Sequence, residues 1–260
     1  MTRTVRRLCL VLTTFFALAA ASTLVKGQTP GAGRGAAPAQ EPPKNLQVLP
    51  KDMPRPQVIG VMQAFTAGLG VGCTHCHVEV PGAQPDFASD DKPEKKTARV
   101  MMRMTTDLNA KLASDLGKAP AELTRVGCIT CHRGVPQPKQ LAEILARTSA
   151  EKGFPAASAQ YKELKTKYYG AQAYDFSDTG LIATAQPLIQ SRTDEAIQFL
   201  QMNLEMFPRS APSYIALAQA QNVKKDTAAA TKSLEKALEI DPQNAGARRL
   251  LDQLKQTAGR

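Results

Sequence analysis

The 260 residues contain no tryptophan, aromatic residues amount to 5%, and histidine occurs only three times. With 18 prolines and 17 glycines beside so few aromatics, part of the chain is expected to be loop or linker. The length still allows one large or two small domains. Long apolar runs are equally scarce. One stands out: Leu8 to Ala21 follows Arg3, Arg6 and Arg7 and closes on Ala19-Ala20-Ala21. That is the build of a secretory leader, residues 1–21 with cleavage reaching as far as 27, and it is too short for a spanning helix. Cys9 opens the run instead of following it, which argues against a lipoprotein anchor. The expectation is export to the periplasm and a mature chain without a transmembrane segment.

What is present begins with a tether. Residues 22–44 include QTPGAGRGAAPAQEPPK, rich in Gly, Ala and Pro and free of apolar periodicity. Apolar residues then return at helical steps of three and four: Val58, Val61, Met62, Phe65 and Leu69, and again Val100, Met101, Met104 and Leu108. The polar stretch between them, 81–96 with its run DDKPEKK, reads as a solvated loop. Past Gly134 a proline-containing connector leads into helical segments over 141–176.

The last third repeats itself. Ala196, Leu200, Leu204, Glu205 and Pro208 recur 34 residues later as Ala230, Leu234, Leu238, Glu239 and Pro242. A 34-residue period with small residues inside the helices and a closing proline resembles tetratricopeptide repeats. The earlier copy is degenerate, with Pro187 inside its first helix and Asn203 where a small residue is usual. The predicted class is all-α: a domain over 45–140, a helical connector over 141–176, and tetratricopeptide-like repeats over 177–257.

Once the leader is removed, four cysteines remain, and they fall in two frames of one kind. Cys73-Thr74-His75-Cys76-His77 and Cys128-Ile129-Thr130-Cys131-His132 both read C-x-x-C-H, the attachment pattern for c-type haem. Two thiols at this spacing reach the two vinyl groups on one porphyrin edge, and the next residue turns its imidazole to the iron. Zinc is the first rival, but 51 residues separate the two pairs, far more than between zinc knuckles. Disulfides are the second, since exported proteins use them, yet they do not need the following histidine. Two covalently bound haem c groups are therefore expected, with His77 and His132 as proximal iron ligands.

The shortage of histidine now matters. His75 lies inside a frame, so no histidine is left for the distal side, and methionine is the natural sixth ligand. His/Met ligation raises the reduction potential and closes the iron to substrates. The segment VIGVMQAFTAGLG (58–70) pairs without gaps with TARVMMRMTTDLN (97–109), setting Met62 against Met101. These two are the distal candidates, with Met104, one turn along the same face, the rival to Met101. Charge fits no nucleic-acid role. Losing the three leader arginines takes the formal +10 to +7, four ionised propionates lower it to about +3, and no basic recognition element is present.

The segments VMQAFTAGLGVGCTHCH, FASDDKPEKKTARVMMRMTTDLN and CITCHRG together resemble the cytochrome c subunit family of photosynthetic reaction centres. The resemblance covers 45–134, about a third of the chain. It implies a methionine from the preceding helix as sixth ligand, hence Met62 on the first haem, and basic residues such as Lys95 and Arg103 near propionates. That family carries four haems; this chain keeps what looks like the second half. The sequence thus reads as a non-enzymatic electron carrier with redox protein partners and a repeat module for docking. A dihaem oxidoreductase of peroxidase type and a repeat-based scaffold are the alternatives.

Overall fold

The computed structural model describes residues 41–258. The expected leader and all but the end of the expected tether lie outside the described residues. The described residues form ten α-helices in chain order and contain no strand beyond an isolated bridge between Val78 and Asp86. The class is all-α.

Two long helices serve the cysteine frames. Helix α1 (Arg55–Leu69) has a proline in its first turn, where the ring costs no intrahelical bond, and ends at Gly70. Gly70 is left-handed at φ 66, and a Cβ there would come within 2.1 Å of the Gly134 carbonyl oxygen, so glycine is required twice over. Helix α2 (Pro93–Leu116) starts inside the charge run expected as loop, again with proline in its first turn, and stops at left-handed Gly117. The second frame forms a short helix of its own, α3 (Cys128–His132). α3 lies against α1: the Gly134 N–H donates to the Gly68 carbonyl at 2.9 Å, and a Cβ on Gly68 would sit 3.1 Å from Cys128 Cβ.

The remaining helices are α4 (Leu141–Lys152), α5 (Phe154–Tyr168), α6 (Asp178–Ala185), α7 (Thr193–Met206), α8 (Ala211–Val223), α9 (Thr227–Ile240) and α10 (Ala245–Ala258). Successive helices from α6 onward pack on their chain neighbours. The starts of α7 and α9 lie 34 residues apart, as do those of α8 and α10. Pro187, expected inside a helix, lies beyond its end: α6 stops at Ala185 and a 3-10 turn, Gln186–Leu188, takes over, because the ring removes a helical N–H and clashes with the preceding turn. Asn203 has a reason to be there. Fully buried, it donates to the Asp178 carbonyl at 2.6 Å and to Ser213 Oγ at 2.7 Å, tying α7 to α6 and α8.

The segment expected as a connector shares a core with α6, α7 and α8. Leu141, Leu145, Ala157 and Tyr161 bury themselves with Leu181, Phe199, Leu200 and Leu217 in one cluster. Arg192 donates to the Ala146 carbonyl, and Glu195 accepts from Ser149 while pairing with Arg192. A second cluster joins Leu234, Ala237, Leu251 and Leu254 across α8, α9 and α10. No helix among the described residues is long and apolar enough to cross a membrane.

Candidate haem-binding frames

Each frame begins with a local backbone fold dictated by its sequence. In the first, Cys73–His75 form a 3-10 turn, and the His77 N–H reaches back to the Cys73 carbonyl at 3.1 Å. In the second, the Gly127 N–H donates to Thr130 Oγ1 at 3.1 Å, which starts α3. The second frame is therefore an α-helix from its first cysteine, while the first is a tighter 3-10 turn. Cys73, Cys76, Cys128 and Cys131 are all free thiols, and burial pushes the thiols of Cys76 and Cys128 up. Among the described residues no group of three or more His, Cys, Asp and Glu is arranged to hold a bare metal ion.

The two proximal candidates differ. His132 Nδ1 lies 2.9 Å from the Val135 carbonyl oxygen. A carbonyl can only accept, so Nδ1 carries a proton, and in the neutral ring it is Nε2 that offers a lone pair to a metal. This is the outer bond that fixes tautomer and ring orientation in metal-ligating histidines. His77 is buried at 9% exposure with no partner for Nδ1, and its ring meets Phe87 edge-to-face at 5.0 Å. Burial, and then the charge of Lys95, holds its pKa below the ordinary histidine value, which favours the neutral imidazole that a metal needs. His75 faces an open groove with Thr74, Asp91, Lys92 and Glu94.

Apolar surface around the frames fits a flat apolar macrocycle. On α2, Val100, Met101, Met104 and Leu108 are exposed, as is Ile129 on α3; Met101 is 37% and Met104 50% exposed. Such a stripe left uncovered by protein marks a binding face. Met62 is half-buried on α1. Free thiol pairs, a histidine with its outer nitrogen satisfied and this stripe together make a donor set that fits covalently held haem.

Lys95 departs from expectation. Its ammonium, buried with the rest of the side chain, donates to the carbonyls of Phe87, Ala88 and Ser89 at 3.0, 3.1 and 2.6 Å and pairs with Asp90 at 3.1 Å. Its donors are committed to folding the 86–90 loop, neither reaching solvent nor free for a propionate. Asp90 in turn accepts from Arg99 at 2.8 Å and from Asn45 at 2.9 Å, and these contacts hold its carboxyl well below the usual carboxylate range. The 81–96 stretch is thus a clipped loop plus the first turn of α2. Arg103 remains exposed.

Two residues escaped the sequence reading. Phe87 packs on His77. Asn109, on α2, binds the backbone of Val126 two residues before Cys128: Val126 N–H donates to Oδ1, and Nδ2 donates to the Val126 carbonyl, each at 2.8 Å. Neither shows in helical periodicity, because both act across a loop.

Cytochrome c-554 of Chloroflexus aurantiacus is 39% identical over 93 residues, covering 35% of this chain and 20% of that protein. The photosynthetic reaction center cytochrome c subunit of Rubrivivax gelatinosus is 33% identical over 38% of this chain and 29% of its own. That of Thermochromatium tepidum is 38% identical over 39% and 23% respectively. The chain thus matches less than a third of the length of each of these curated relatives. The family model for the photosynthetic reaction centre cytochrome C subunit matches residues 13–196, running past the expected limit at Gly134 into α7. With well over half of its length matched, the chain belongs to the photosynthetic reaction centre cytochrome c subunit family.

Proposed function

We propose that this chain is a periplasmic dihaem electron carrier, with two haem c groups held by Cys73, Cys76 and His77 and by Cys128, Cys131 and His132. Haem supplies a reversible one-electron ferrous–ferric couple. The protein's own residues do the rest. The cysteines fix each ring by thioether bonds, the histidines bind from the proximal side, and Met62 and Met101 close the distal side against substrates. Val100 and Leu108 on α2 and Ile129 on α3, exposed in the chain alone, would shield a bound ring from water. The observation that carries this reading is the His132–Val135 bond, which orients a ligand histidine directly after a free thiol pair. The tetratricopeptide-like repeats over 177–257 are proposed to dock the redox partner.

An optical redox titration tests the reading. Two reversible low-spin haems are expected. Met101→Ala should turn one of them high-spin and lower its potential, while Met104→Ala should perturb only packing. A reversed pattern would move the ligand one turn along α2, and silence in both variants would revive the peroxidase-type alternative.

A further inference from the structure

The two frames share more than C-x-x-C-H. Both read V-G-C-x-x-C-H: Val71 to His77 and Val126 to His132. The residues that precede them differ. In the first, α1 ends, Gly70 turns left-handed, and Val71 comes directly after it. In the second, α2 does not end at the equivalent point. It continues to Leu116, and the chain travels through residues 117–125 before reaching Val126.

The gapless pairing that sets Met62 on Met101 and Leu69 on Leu108 also sets Gly70 on Asn109. Asn109 is the residue that grips Val126. Its Oδ1 accepts the Val126 N–H at 2.8 Å and its Nδ2 donates to the Val126 carbonyl at 2.8 Å. The second amide hydrogen goes to the Thr105 carbonyl at 2.7 Å, so the amide orientation is fixed by its partners. A primary amide that meets both the N–H and the C=O of one residue does what a neighbouring peptide group would do.

We propose that Asn109 is the positioning residue of the second haem frame: its side chain restores through space the junction that Gly70 makes through the chain. Residues 110–125 are then an excursion, and Val126-Gly127-Cys128 is carried on α2 in the register that Val71-Gly72-Cys73 has on α1. The register has a consequence. Met62 stands eight residues before Gly70, and Met101 stands eight before Asn109; Met104 answers to Phe65. Asn109 therefore sets the distance between the distal-ligand helix and the frame holding the proximal ligand. This role rests on the dihaem reading of the two frames.

The test uses the full holoprotein and Asn109→Leu, which keeps approximate size and removes all three bonds. Asn109→Asp keeps only the acceptor for the Val126 N–H. Intact mass first counts the haems, and a wild-type chain without two of them would defeat the function reading itself. With two attached, Asn109→Leu should halve the far-red methionine–iron charge-transfer band, turn one haem high-spin and lower its potential, and leave the other haem as in wild type. Asn109→Asp should fall between the two. Wild-type spectra and potentials in Asn109→Leu, or an equal loss at both haems, would overturn the proposal.

Discussion

The residues before Leu141 and those after it use apolar side chains in opposite ways. Among the described residues before 141, only Val58 and Val135 are buried apolar side chains, while Ile59, Phe87, Val100, Met101, Met104, Leu108 and Ile129 are exposed. After it, Leu145, Tyr161, Leu181, Phe199, Leu200 and Leu234 are almost fully buried, and among the described residues Tyr169 is the one large apolar side chain left exposed. Both regions are helical, and their sequences carry the same three-four spacing. Helical amphipathicity alone therefore does not say what an apolar stripe will meet. In α7 it meets other helices; in α2 no other helix covers it, and Val100, Met101, Met104 and Leu108 stay exposed.

The sharpest way to break this contrast is to prevent attachment by changing all four frame cysteines to serine. Residues 45–140, which cannot bury enough of their own apolar surface, should lose hydrogen-exchange protection, while α4 to α9 keep theirs. Equal loss in both halves would mean one shared core. Next in size is Leu200→Ala, which removes a fully buried side chain and should cost about 2–5 kcal/mol in unfolding of the helical region, read by denaturant melts, with haem spectra unchanged. A smaller effect is expected at Glu195. Arg192 beside it, and then Ser149, hold its carboxyl below the ordinary carboxylate value. Its stabilising share is therefore complete above the unfolded value of about 4.3 and lost as pH falls through the lower folded value. Glu195→Gln should remove that acid-side slope, worth about 1 kcal/mol or less, in melts taken between neutral and strongly acid pH.

Some of this was legible in the sequence, and physical reasons separate what was from what was not. The cysteine frames could be read because thioether geometry fixes their spacing within five residues. Helices α1 and α2 could be read from period alone, whereas the repeat reading kept Pro187 inside a helix that in fact ends at Ala185. Contacts at long range left no such trace. Ser149 and Glu195 are 46 positions apart, so the membership of α4 and α5 in the core of α6 to α8 was hidden. Lys95 looked like one more charge in a polar run, and only the folded loop shows three carbonyls converging on it. Asn109 sits mid-helix, where nothing local distinguishes it from a solvent-facing amide.

The central claim, that both frames carry covalently attached haem, is tested most directly by the intact mass of the purified protein after acid–acetone extraction. The account predicts the processed polypeptide plus two haems, retained because thioether bonds survive the extraction. A mass equal to the bare chain, or to the chain with zinc, would contradict it.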